Sequence, residues 1–198
     1  MSNTIFMGSK KSVVNDWAVY GLDSSIKASK YPKSVDVSKC NSEITTTVRN
    51  LGSCDMGTGH DNFLNGIIVQ FDLTFSLKAW TEGERYHFLD FVSSQSTMHC
   101  ITKFDIDKQC NRYVTQKAVD NLQAQVDRYN KNQTPENFLY VVYNIPTGFT
   151  LTARMTTNYR QLKTIYQQRK THRLPEWREF CKWIEELPYF KEIVLQED

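Results

Sequence analysis

The segment from Ile67 to Leu77 constrains the fold of this chain more than any other. Ile67, Val69, Phe71, Leu73, Phe75 and Leu77 alternate there with Ile68, Gln70, Asp72, Thr74 and Ser76. Successive side chains of a strand point to opposite faces, so this alternation predicts a long strand with one buried face. That face needs partner strands and a covering layer, and the rest of the chain offers helices to make it.

Phe88, Leu89, Phe91 and Val92 stand at helical spacing and predict a helix within Gly83 to Gln95. Val114, Ala118, Leu122 and Val126 recur every four residues, with Tyr129 after them, and predict an amphipathic helix. Thr134-Pro135-Glu136 reads as an N-cap followed by proline at the first helical position. That helix is expected to run toward Ile145-Pro146, with Thr150 to Thr156 as an extended connection after it. Asn158 to Lys170 is the next predicted helix, with Leu162, Ile165 and Tyr166 as its apolar stripe. Pro175 opens the last, which uses Trp177, Phe180, Cys181, Ile184 and Leu187 before Pro188. Toward the N-terminus, Val13 to Leu22 and Ile44 to Leu51 read as short ordered elements, and residues 1–58 carry the weakest signal. Gly52, Gly57 and Gly59 mark a flexible turn before His60. The class is α/β (α+β), and 198 residues fit a single domain, 1–198.

Composition removes several kinds of function. Hydrophobic residues make up 40% of the chain, enough for a real core, so bulk disorder is excluded. Lys and Arg number 24 against 22 Asp and Glu, a balance that argues against a dedicated nucleic-acid binder. The basic tract Gln167 to Arg173 reads as a solvated helix end. No apolar run approaches the ~20 residues that span a bilayer. Met1 to Lys11 has lysines but no apolar segment after them, so it does not read as a secretory signal. The five cysteines are scattered, with no CxxC pair, as expected for a reduced, cytoplasmic protein. His60, His87, His99 and His172 form neither HxH nor HExxH, so no metal site is expected. P-loop, GxGxxG and GxSxG motifs are absent.

The helix after Asn158 carries the most chemistry. Arg169 lies eleven positions beyond Asn158, about three helical turns, so both fall near one face. That face also holds Leu162 and Ile165. An arginine aligned with a buried stripe must find an anion or a hydrogen-bonded partner, because an unpaired buried charge is costly. Phosphate suits the guanidinium fork. A helix-end arginine that snorkels to water or pairs with a nearby glutamate satisfies the same pattern.

The order Gly59-His60-Asp61, long strand, helix, then Asn158-x-Arg160-x-Leu162 and Arg169 resembles the flavin-dependent thymidylate synthases. In that family a Gly-His-Glu segment precedes such a strand. Near the C-terminus a helix reads N-x-R-x-L, with a second arginine nine positions after the first, and here 169 − 160 is nine. A tryptophan-containing segment follows, as Glu176-Trp177 does here, and the similarity spans residues 59–185. The resemblance implies a central, mainly antiparallel sheet flanked by helices, the fold of the thymidylate synthase-complementing proteins. It implies a homotetramer that binds FAD in pockets shared between chains. It further implies methylation of dUMP, or a related pyrimidine nucleotide, from methylenetetrahydrofolate, with hydride passing from NADPH through reduced flavin. No enzyme cysteine bonds to the nucleotide in that chemistry. Carried over singly, His60 falls near flavin and folate, Asn158 and Arg160 near flavin, and Arg169 on dUMP. His60 and Arg169 are the candidate catalytic residues.

The chain also departs from the family. The signature R-H-R, followed by S, N-E and S-x-R, is replaced by the run from Ser93 to Phe104. Ser93, Ser94 and Gln95 then stand where the family grips flavin, donating hydrogen bonds without formal charge. Lys103-Phe104 stands where the family places Arg-Tyr at the nucleotide. A further arginine expected near the start of Phe138 to Tyr143 is absent. Each lost charge-assisted contact is worth about 1.5–3 kcal/mol, so FAD and dUMP are expected to bind more weakly. The competing expectation is a catalytically inactive descendant acting as a nucleotide-binding or protein-interaction module.

Overall fold

A computed structural model describes residues 5–9 and 12–196 of the chain. Residues 1–4 together with Lys10 and Lys11, part of the stretch read above as no secretory signal, lie outside the described residues. The elements begin with β1 (Phe6–Gly8), β2 (Val14–Tyr20), α1 (Leu22–Ala28), α2 (Thr46–Ser53), β3 (Ile68–Ser76), α3 (Leu77–Gly83) and β4 (Asp90–Ser94). The short helices α4 (Thr97–Cys100) and α5 (Ile106–Gln109) follow, then α6 (Gln116–Lys131) and α7 (Pro135–Tyr143). The chain closes with β5 (Thr150–Asn158), α8 (Tyr159–Arg169) and α9 (Pro175–Glu185). The strands form one antiparallel sheet in the order β1-β2-β3-β5-β4, flanked by helices, as the α+β reading requires.

The long strand lies where alternation put it. Val69, Phe71, Leu73 and Phe75 of β3 are fully buried, whereas Ile68 is exposed. The strand stops one residue early because the Ser76 hydroxyl accepts the Ala79 N–H at 3.2 Å and starts α3. That cap satisfies one of the orphan donors of the first turn.

Two expectations are corrected. Gly83 to Gln95 is not a helix: α3 ends at Gly83, and Asp90–Ser94 is an edge strand exposed at every position. The helical spacing of Phe88, Leu89, Phe91 and Val92 fails because only Leu89 is buried, leaving no apolar stripe to seat a helix. Gln95 then closes the ladder beyond the strand. Its N–H donates to Thr152 O, and its side-chain Oε1 accepts from Thr152 N–H, each at 2.9 Å. The second correction is Gly52, which sits buried inside α2, where an added Cβ would collide with the Ile193 carbonyl oxygen. Gly57 and Gly59 do form a turn, with φ of 89° and 77°. Those left-handed values favour glycine because it carries no Cβ.

Contacts divide the chain into two compact units. The first takes Met1–Leu73, Tyr86–Phe91 and Arg154–Asp198. Its core is aromatic: the Phe71 ring lies 5.5 Å from Phe180 and 4.8 Å from Trp183, both on the buried face of α9. The second takes Thr74–Arg85 and Val92–Ala153. Its core gathers Ile101, Ile106, Val141 and Phe149 around the α6 stripe of Val119, Leu122 and Val126. Thr134 caps α7 by accepting the Asn137 N–H at 3.2 Å, with Pro135 at the first position, as the sequence indicated. Among the described residues, no helix is long and apolar enough to cross a membrane.

Candidate functional site

The candidate site grows from the junction of β5 and α8. Asn158 is the last residue of β5, with extended backbone, and its Oδ1 accepts the Gln161 N–H at 2.8 Å. An extended residue with a short amide is well suited to start a helix. From there Tyr159, Leu162, Lys163 and Tyr166 recur with helical period and form the buried face of α8. Lys163 is the anomaly on that face, with a side chain only 1% exposed. Its ammonium donates to the carbonyls of Gly52 at 2.9 Å and Cys54 at 2.5 Å, and to the Asp61 carboxylate at 2.9 Å. The other Asp61 oxygen lies 3.0 Å from Arg160 Nε.

Asp61 thus holds two cations of one helix, with its own side chain only 2% exposed. The three carbonyl and carboxylate acceptors match the three N–H bonds of an ammonium, which makes burial of Lys163 tolerable. The result ties the Gly59-His60-Asp61 turn to the start of α8. His60 itself is exposed.

Two cavities open around this tie, both within the first unit. The smaller, of about 200 Å3, is lined by Asp61, Asn65, Phe88, Asn158, Arg160 and Thr164 among others. The larger, of about 930 Å3, has His60, Asn62 and Phe63 in its wall. Asn158, Arg160 and His60 are therefore brought into one neighbourhood.

Arg169 has different surroundings at the far end of α8. It is 8% exposed, and its Nε–H donates to the Tyr86 hydroxyl at 2.7 Å. Its guanidinium carbon lies 4.9 Å from the Trp177 ring centroid and 5.5 Å from that of Tyr86. The Tyr86 O–H in turn meets Gln168 Oε1 at 3.0 Å. Neither cavity is lined by Arg169. A tyrosine hydroxyl is thus a hydrogen-bonded partner of the kind the apolar face demanded, with aromatic rings beside it.

The remaining sequence candidates belong to the second unit. Ser93 and Ser94 are exposed on β4, and Gln95 spends its carbonyl on Thr152. Lys103 is exposed at the end of a short turn, Ile101–Lys103. Among the described residues, no three His, Cys, Asp or Glu side chains cluster to hold a metal ion. Burial, helped by Glu185, pushes the Cys181 thiol up to about 12, so it stays protonated and a poor nucleophile.

Lys163 was the residue that sequence reasoning passed over. The signal was available: a lysine at the i+4 position from Tyr159, on the side of α8 otherwise given to Leu162 and Tyr166.

No family model matches the chain, and no curated protein matches its sequence. Its structure is similar to two crystal structures of the flavin-dependent thymidylate synthase ThyX from Helicobacter pylori, each with FAD and dUMP. The first gives a TM-score of 0.68 at 15% identity, covering 89% of this chain and 96% of that one. The second gives 0.71 at 13% identity and covers 96% of both chains. Over nearly its whole length, the chain has the fold of the flavin-dependent thymidylate synthases.

Proposed function

We propose that the protein is a divergent flavin-dependent enzyme that methylates dUMP or a related pyrimidine nucleotide. Methylenetetrahydrofolate is the one-carbon donor, and NADPH is the source of reducing equivalents. The observation that carries this reading is the meeting of Asp61 with Arg160 and Lys163. The two segments on which the family resemblance rests lie about a hundred residues apart, yet a buried ion cluster joins them. The solved structures of similar fold contain FAD and dUMP, which supports the same pair of ligands here.

The residues around the cluster fit a flavin nucleotide. Phe63 and Phe88 provide flat apolar surface, and Asn65, Asn158 and Arg160 provide amide and guanidinium groups for ring carbonyls or phosphate. Bound and reduced, the flavin supplies hydride. The chain's own part is positioning and electrostatics. His60, Asn158 and Arg160 hold the flavin, with His60 facing the folate. Arg169 anchors the nucleotide, while from a neighbouring copy Lys103 meets the nucleotide and Ser93, Ser94 and Gln95 contribute uncharged donors to the flavin. These second-unit residues act in a homotetramer whose pockets are shared between chains.

Titration of the purified protein with FAD, followed by absorbance, tests the proposal, with light scattering on the same sample. One flavin per chain, weakened by Arg160→Ala, and a tetramer are expected. A protein that takes up no added FAD overturns the enzymatic reading. The inactive descendant, which the missing R-H-R arginines favour, then takes its place.

A further inference from the structure

The larger cavity of the first unit has a charge character that the proposed function does not use. Lys30, Lys33 and Lys39 line it against a single carboxylate, that of Glu43. The whole chain is nearly balanced, 24 cations to 22 anions, so this excess is local. The segment that carries the lysines is built from two short turns, Tyr31–Lys33 and Val37–Lys39. Asp36 caps the second by accepting the Ser38 N–H at 3.0 Å, so the backbone of the loop is held locally. The Lys30 ammonium is fixed at the wall, donating to Asn41 Oδ1 at 2.5 Å. Asp36 lies 3.8 Å from the Lys39 ammonium and offsets only one of the three charges. Ala28, Pro32, Leu51 and Phe63 give the same cavity apolar wall.

A cavity with cations along one segment and apolar wall elsewhere suits a ligand with an apolar body and neighbouring anionic groups. We propose that it binds such a polyanion, with Lys30, Lys33 and Lys39 as the charge-supplying residues. The loop lysines then provide cationic charge that the run from Ser93 to Thr102 lacks. Two ligands of the proposed function carry this chemistry: the diphosphate of FAD and the linked carboxylates of a polyglutamyl folate. Naming these two rests on that function, whereas the lysine-lined cavity does not.

The test is calorimetric titration of the full chain and of the triple variant Lys30→Gln, Lys33→Gln, Lys39→Gln. Four probes are used: FAD, riboflavin, folate with one or five glutamates, and inorganic tripolyphosphate. All three positions lie in an irregular surface segment and leave the aromatic core untouched. The triple variant is expected to lose roughly ten- to a hundredfold in affinity for the anionic probe, as three partly screened charges imply. Riboflavin binding stays unchanged, and the loss shrinks as salt is raised. A loss on FAD that spares folate assigns the diphosphate, and a loss that grows with glutamate number assigns the carboxylates. FAD bound equally by parent and variant, with no glutamate effect, overturns the inference and leaves the proposed function intact. Lysine-dependent tripolyphosphate binding without any flavin or folate binding supports the inference and overturns the function. No binding of any anionic probe by the parent overturns the inference.

Discussion

Helix α8 buries two cations, Lys163 in its middle and Arg169 at its C-terminal end, and the two are satisfied in opposite ways. Lys163 is enclosed by oxygen, from two backbone carbonyls and a buried carboxylate. Arg169 lies against aromatic rings, and its Nε–H donates to a tyrosine hydroxyl. A compact ammonium needs several acceptors at close range, whereas a planar, weakly hydrated guanidinium can lie against aromatic faces. The Lys163 cluster therefore acts as a knot that fixes a distant turn to the helix. The Arg169 end keeps a delocalised cation within an aromatic wall. All three N–H bonds of Lys163 are spent inside the fold, so this cation serves the structure and not a ligand.

Breaking the knot gives the largest effect. Lys163→Met leaves the Asp61 carboxylate buried with Arg160 as its remaining cation, and removal of one partner from such a pair costs about 3–5 kcal/mol. Urea denaturation of the variant is expected to show that loss. The double variant Lys163→Met, Asp61→Asn recovers a large share of it, since the stranded charge is gone. Equal stability of the single and double variants breaks the picture of a charge-coupled knot.

Arg169→Ala is expected to cost less, about 1.5–3 kcal/mol for the charge-assisted hydrogen bond, seen as a lower melting temperature. The proposed function adds a ten- to hundredfold weakening of dUMP binding, the same ~1.5–3 kcal/mol expressed as affinity. Arg169→Lys rescues only part of either loss, because an ammonium lacks the planar fork. A large loss of stability with unchanged dUMP affinity makes Arg169 a strut and removes it from the nucleotide site.

The smallest effect belongs to the cap at the start of the helix. Asn158→Ala removes the acceptor for the Gln161 N–H and is expected to cost about 1 kcal/mol in denaturant melts. Asn158→Asp keeps the cap. If the two variants bind FAD equally but differ in stability, Asn158 serves the helix alone.

The elements with strong periodicity were legible in the sequence. β3, α6, α7, α8 and α9 all fall where spacing or capping residues put them, within a residue or two at their ends. Local chemistry decides such segments: an apolar stripe, a Thr-Pro start, an Asn cap. The segment around Phe88 to Val92 was misread because periodicity carries no information about what lies opposite it. Phe88 and Leu89 lie before the strand and Phe91 and Val92 within it, and the pairing of Gln95 with Thr152 overrides the helical spacing. Gly52 was misread for a related reason: its small size serves a close approach by Ile193, which no local window contains.

The candidate site divides along the same line. Asn158, Arg160 and His60 were visible as a motif order, and the sequence by itself determined that they sit on a helix start and on a glycine-rich turn. Only the tertiary structure decided that the turn and the helix meet, through Asp61, Arg160 and Lys163. It alone also decided that Arg169 lies between Tyr86 and Trp177. A buried charge states in the sequence that it must have partners, but not which ones. Those of Lys163 lie more than a hundred residues away along the chain, and the requirement that buried polar groups be satisfied is met by the fold as a whole.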